Sequence, residues 1–307
     1  MEGLLDFAYT GVSAIGNDLS ESSRKTYIAN AKRLLKYFGN SAKLSEVLCN
    51  PVYVMEALDR TPLSLNSRAN LVNTMCAILR HSERAQTTAY QALRPQWQAI
   101  ADSLSGELKT IARESGKSAR ENAAWITPEE INGKLKQLAK DEFGSQRHLL
   151  LALFALLPPV RGGDYGHVYI ATAANEDDGK GNVLLLNLRD ETADLVIRLH
   201  KTAKTYGAIG GKLPRTLYDI VVSSLAQKPR SWLFVKSDSG PFTSEQTFNK
   251  WANNEFFSIF GKHVTANIFR HVFSSETFRS GKMSYGEVAD RAAALGHSVE
   301  KHLSYMR

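Results

Sequence analysis

The sequence predicts an α+β fold: mainly α, with a small antiparallel β-sheet, split between a helical N-terminal domain and a mixed C-terminal one. Three observations predict it. Apolar residues recur at helical spacing through the first third of the chain. That stripe fades over Ser105–Asn122, where the composition turns polar. Beyond it, short runs rich in β-branched and aliphatic residues lie among further helical segments. With 307 residues and 43% apolar content there is material for two cores. The expected division is a helical domain over 1–104, a linker over 105–122 and a mixed domain over 123–307.

Taken in order, Ser20 or Ser22 can cap a first helix. Its Tyr27, Ala31, Leu34, Leu35 and Phe38 form one face, and Gly39 can end it. Further helices are expected over Ser64–Arg80 and Arg84–Leu104. After the linker, Thr127-Pro128-Glu129-Glu130 is a capping box with proline at the first helical position. A buried helix over Gln146–Leu157 stops at Pro158-Pro159. Strands are expected at Val183–Leu188, Leu195–Leu199 and Tyr206–Leu213, with Asp190-Glu191 turning between the first two. Helices follow over Pro214–Ala226, Ser244–Phe260 (capped by Thr243, with Gln246 three residues on), Thr265–Arg279 and Ser284–Leu295.

The formal charge is +7, from 38 Lys+Arg against 31 Asp+Glu, which favours polyanionic partners such as nucleic acid. No apolar run approaches the roughly 18 residues that span a bilayer. The opening Met1-Glu2-Gly3 has no signal-peptide pattern, so an intracellular protein is expected. Cys49 and Cys76 are expected to be buried free thiols, not a disulfide or a zinc site. No Asp/Glu/His cluster has metal-ligand spacing, which counts against a metal-dependent nuclease.

A few residues could carry chemistry. Arg161, in Pro158-Pro-Val-Arg161-Gly-Gly-Asp164-Tyr, offers a planar fork for two phosphate oxygens. Asp164 could steady that fork, and the glycines could leave room for a bulky ligand; alternatively Arg161 and Asp164 form an ion pair that only ties the loop. Lys201 and Lys204 lie at a strand exit, where a lysine either reaches a phosphate or is simply solvated. Arg270 and His271 fall in an amphipathic helix. His297 follows a Leu-Gly helix stop, and Tyr305 comes eight residues later. A tyrosine hydroxyl, with an ordinary pKa near 10, becomes a nucleophile only when cations stabilise its phenolate. Arg24, Lys25, Lys32, Arg33 and Lys36 on the first helix, with Lys117 and Arg120 in the linker, are either solvated or DNA-facing.

The order and spacing of these residues resemble the tyrosine recombinases, the phage-type integrases and their relatives. The matching blocks are Asn267-Ile-Phe-Arg270-His271, Leu295-Gly-His297-Ser298 and Tyr305, with Arg161 followed at three residues by Asp164. The Pro-Pro-x-Arg-x-x-Asp-Tyr form and the short Gly-His-Ser…Tyr spacing look more like recombinases of mobile elements and large DNA viruses of eukaryotes than like bacterial Xer proteins. The resemblance implies a core-binding domain over 1–104 and a catalytic domain over 123–307, closing around duplex DNA. It implies that Arg161 and Arg270 hold the scissile phosphate, with hydrogen bonds from His297 and Asn267. Tyr305 would be the nucleophile and Lys204 (Lys201 as the alternative) the general acid, with Asp164 and His271 supporting. No metal or ATP would be needed.

The implied activity is site-specific recombination or integration through a 3′-phosphotyrosyl link and a Holliday junction. The partner would be double-stranded DNA bound by a homotetramer, with a monomer in its absence left open, and the location would be at DNA (the nucleus in a eukaryotic host). Two departures stand out. Asn267 occupies the position of a usual histidine or lysine, and asparagine cannot act as a base near pH 7. Two residues follow Tyr305, where family members often carry a segment that docks on a neighbouring subunit. The competing functions are type IB topoisomerase-like relaxation and non-catalytic DNA binding by a recombinase-derived protein.

Overall fold

The computed structural model describes residues 19–39, 42–81, 86–114, 117–172, 176–279 and 283–305. The chain divides into two compact units, Met1–Ser115 and Gly116–Arg307.

The first unit is helical. Helix α1 (Glu21–Leu35) starts at Ser20, whose side chain accepts from the Ser23 N–H, and it buries Ala31, Leu34 and Leu35. A 3-10 turn (Lys36–Phe38) then ends at Gly39, which has φ +93°. Two unanticipated short helices follow, α2 (Leu44–Cys49) and α3 (Pro51–Asp59), with Pro51 at the first position of the second. Helix α4 (Leu65–His81) packs on α5 (Thr88–Glu114), and the expected start at Arg84 lies outside the described residues. Trp97 of α5 is fully buried, and its indole N–H donates to the Leu48 carbonyl at 2.9 Å. Cys76 is buried as expected, but Cys49 is exposed, because it lies on the outer side of the last turn of α2.

The stretch expected as a linker is largely helical. Helix α5 continues to Glu114, because Leu104 and Leu108 still pack on the core one turn apart. Another helix, α6 (Ala119–Ala124), begins at a reciprocal Ser118–Glu121 capping box. The composition is polar because the apolar edge of α5 narrows, not because the helix stops.

In the second unit, α7 (Pro128–Asp141) begins at the predicted Thr127–Glu130 box. Helix α8 (Gln146–Leu156) buries an unbroken run from His148 to Phe154. The sheet runs β1 (Val168–Ala171), β2 (Asn182–Asn187), β3 (Thr192–Ile197), β4 (Ile209–Lys212). It is mixed, not purely antiparallel: the unanticipated β1 runs parallel to β2, while β2–β3 and β3–β4 are antiparallel. Of the antiparallel connections, only that between β2 and β3, over 188–191, is a tight turn. Between β3 and β4 lies a helical turn, α9 (Ala203–Tyr206), so the connection is not a simple hairpin. Gly210 in β4 has φ +120°, and a Cβ there would lie 2.1 Å from the Leu195 carbonyl oxygen. Helices α10 (Arg215–Gln227), α11 (Glu245–Phe260), α12 (Ala266–Arg279), α13 (Tyr285–Ala294) and α14 (Val299–Ser304) complete the unit. The cap of α11 is Ser244 with Thr247, one residue beyond the expected Thr243. The architecture is therefore mainly α with a small sheet, the α+β class expected. Among the described residues no helix is long and apolar enough to cross a membrane.

Candidate active site

Helix α12 carries Arg270 into the interior. Its Ile268, Phe269 and Val272 are buried, and Phe269 packs on Phe154 of α8 and Phe256 of α11 at ring-centroid distances of 5.1 and 4.8 Å. Arg270, next along the helix, is only 1% exposed. Its Nη1 donates to the Pro159 carbonyl at 3.0 Å, and its Nη2 to the Leu295 carbonyl and His297 Nδ1, each at 3.1 Å. Its Nε has no hydrogen-bond partner among the described residues, and no carboxylate pairs with it. Burial lowers its pKa, and the Tyr305 phenol opposes that shift.

The Leu-Gly-His-Ser block works as a stop, a ring and a start. Gly296 (φ +63°) ends α13, its N–H donating to the Ala293 carbonyl while that of His297 reaches the Ala292 carbonyl. Ser298 caps α14, accepting from the Lys301 N–H at 3.2 Å. His297 stands between them, buried rather than projecting freely. Because a guanidinium can only donate, His297 Nδ1 must be bare, and its Nε2–H donates to His302 Nδ1 at 3.2 Å. Burial, followed by the charges of Arg270 and its basic neighbours, pushes the His297 pKa down to about 3, so the ring is neutral at pH 7.

Tyr305 caps the end of α14. His271, buried on α12, donates from Nδ1 to the Tyr305 main-chain oxygen at 2.9 Å, and its Nε2 lies 3.5 Å from Glu121. The phenol ring lies 4.5 Å from the His271 ring and meets His297 edge-on at 5.1 Å. Two cations flank it, with Lys301 Nζ 4.9 Å and Arg270 Cζ 5.5 Å from its centroid.

Arg161 sits at the start of a 3-10 turn (Gly162–Tyr165). Asp164 does not grip its guanidinium; its Oδ2 accepts from the Arg161 main-chain N–H at 3.1 Å. The carboxylate therefore shapes the loop and leaves the fork free: the half-buried Arg161 side chain makes no hydrogen bond or ion pair among the described residues. Its charge is nonetheless felt at both Arg270 and His297. Burial raises the Asp164 pKa to about 6, against the pull of Arg161 and His200. Gly162 and Gly163 do not open space for a ligand. A Cβ on either would strike Asn249 or Glu245 of α11, so these glycines allow close helix packing.

Arg270, His271, His297 and Tyr305 are thus in contact, with Arg161 and Asp164 in electrostatic reach. Asn267 is exposed one turn before Arg270 and makes no hydrogen bond among the described residues. Lys201 and Lys204 are exposed on the β3–β4 connection and outside this cluster, although Thr202 beside them donates to the Gly296 carbonyl at 2.6 Å. Lys25, Lys32 and Arg33 are exposed on α1 and Lys36 on the 3-10 turn after it; Lys25 pairs with Glu21 and Arg24 is half-buried. Arg120 is exposed on α6, while Lys117 lies over the Trp125 ring at 3.7 Å. Lys301, His302 and Ser274 belong to the cluster but were not anticipated; His302, three residues before Tyr305, is the one that helical spacing could have flagged.

No protein-family model matches this chain, and no curated protein matches it. Among solved structures, a crystal structure of XerA recombinase aligns with a TM-score of 0.43 and 16% identity, covering 100% of this chain and 93% of that one.

Proposed function

We propose that this chain is a tyrosine recombinase that cuts and rejoins DNA through a 3′-phosphotyrosyl intermediate. One observation carries the reading: a buried arginine with no carboxylate partner among the described residues lies against the ring of Tyr305, together with a neutral histidine and within electrostatic reach of Arg161. Such a positive, partly desolvated site suits a phosphodiester, and its chemistry is that of charge stabilisation. Arg161 and the unpaired Nε–H of Arg270 would hold non-bridging oxygens. Each such donor commonly contributes about 3 kcal/mol to the transition state. Tyr305 would attack the phosphorus and give up its phenol proton to water, with the cations of Arg270 and Lys301 against its ring.

The leaving 5′-oxygen would take a proton from Lys204 or Lys201, whose loop is tied to Gly296 by Thr202. Asn267 would contribute at most a hydrogen bond to the phosphate. Attack by a 5′-hydroxyl of a partner strand reverses the step. Two rounds within a homotetramer would exchange both strand pairs through a Holliday junction, as in integration of a mobile element or viral genome. The exposed cations of α1 and Arg120 would add phosphate contacts, giving affinity that falls steeply with salt.

The test is incubation with a nicked suicide duplex in EDTA, followed by denaturing electrophoresis. A covalent DNA adduct is expected with the intact protein and none with Tyr305→Phe. Absence of an adduct with the intact protein, or its persistence in Tyr305→Phe, refutes the reading.

A further inference from the structure

We propose that His302 is a positioning residue for this site, holding His297 in its Nε2–H tautomer and so turning the bare Nδ1 toward Arg270. Arg270 Nη2 lies 3.1 Å from His297 Nδ1 and has only protons to offer, so the Nδ1 is an acceptor. The proton of the neutral ring is then on Nε2, inside a buried pocket where an unpaired N–H is costly. His302 Nδ1, 3.2 Å away, accepts it. His302 is itself fully buried on α14, and Ser274 Oγ of α12 lies 3.3 Å from the same nitrogen. The hydrogen bonds therefore run one way, from Arg270 to His297 to His302, and the tautomer of His297 is fixed by its two neighbours.

Without an acceptor at 302, the Nε2–H is orphaned. The other tautomer would set an Nδ1–H against an arginine N–H, donor against donor. His302 thus steadies Arg270 at one remove: Nη2 is kept between the Leu295 carbonyl and His297, and Nε is left for a ligand. His297 in this arrangement serves the arginine rather than the phosphate. The catalytic consequence rests on the reading of Tyr305 chemistry given above; the tautomer does not.

The experiment pairs two readouts on the full chain. Long-range 15N–1H correlation spectra of the DNA-free protein at neutral pH read which His297 nitrogen carries the proton. Adduct formation on the nicked duplex reads the chemistry. His297 is expected to be protonated at Nε2 alone in the wild type. His302→Asn, whose side-chain oxygen can accept from the same direction, should keep that tautomer and most of the rate. His302→Leu should lose the single tautomer and slow the adduct by about 10-fold, the lower end of the loss seen when a partner orienting a metal-bound histidine is removed. A wild-type His297 protonated at Nδ1 overturns the proposal, as does a His302→Leu protein with the tautomer and rate intact. If leucine at 302 prevents folding, the wild-type and asparagine spectra decide. If the wild type forms no adduct, the recombinase reading fails while the spectra still decide this one.

Discussion

Replacing Asp164 with asparagine should stabilise the protein at neutral pH and not in acid. The carboxyl is buried beside β2, with its main-chain oxygen bonded by Asn182 at 3.0 Å and its Oδ2 by the Arg161 N–H. Burial lifts its pKa from an ordinary 3.8 to about 6, a gap of about two pH units. A carboxyl raised on folding favours the folded state fully only below about pH 3.8, and that contribution is lost as pH rises through about 6. At about 1.4 kcal/mol per pH unit, the loss amounts to about 3 kcal/mol at pH 7.5. Asparagine keeps an oxygen for the Arg161 N–H but carries no charge to desolvate. The variant should gain up to about 3 kcal/mol over the wild type between pH 4 and pH 7.5. Urea unfolding at a series of pH values, followed by tryptophan fluorescence, measures this. Three of the four tryptophans (Trp125, Trp232 and Trp251) report on the second unit. A difference between the two proteins that does not change with pH would refute the desolvation argument.

Two further substitutions test the packing around the site and in the first unit. Gly296→Ala should cost about 1–2 kcal/mol from its left-handed backbone alone. Its new Cβ would also lie 3.1 Å from Thr202 Oγ1, so a lowered urea midpoint with an unchanged slope is expected, and an unchanged midpoint would contradict it. Trp97→Phe removes the indole donor and strands the Leu48 carbonyl, an expected loss of about 1–3 kcal/mol in the first unit. A melting temperature equal to that of the wild type would contradict the assigned bond.

The long helices were legible because their apolar residues repeat and their caps are written locally, as at Ser20 and at Thr127 with Glu130. Helices α2, α3 and α14 were not, since six to nine residues hold too few turns to show a period. Strand β1 was hidden for the same reason: four residues flanked by turns carry no alternation, and its pairing partner lies beyond a loop. At the site, the blocks holding Arg270, His297 and Tyr305, which the fold brings into contact, were visible along the sequence. What could not be read is which groups they hold. Asp164 was expected on the Arg161 side chain and instead holds its main chain. His297 was expected to face a phosphate and is held between Arg270 and His302. Such bonds depend on ring orientation and loop path, which spacing along the chain does not encode.

His271 grips position 305 by its main-chain carbonyl, not by the phenol. The main-chain tether at 305, where we propose the nucleophile, is therefore independent of the side chain carried there. Anchoring and reactivity are separate properties of one residue. A fluorinated tyrosine, or one masked by a light-cleavable group, could be installed at 305 with its tether intact. Reaction could then be started by a flash, on DNA already bound.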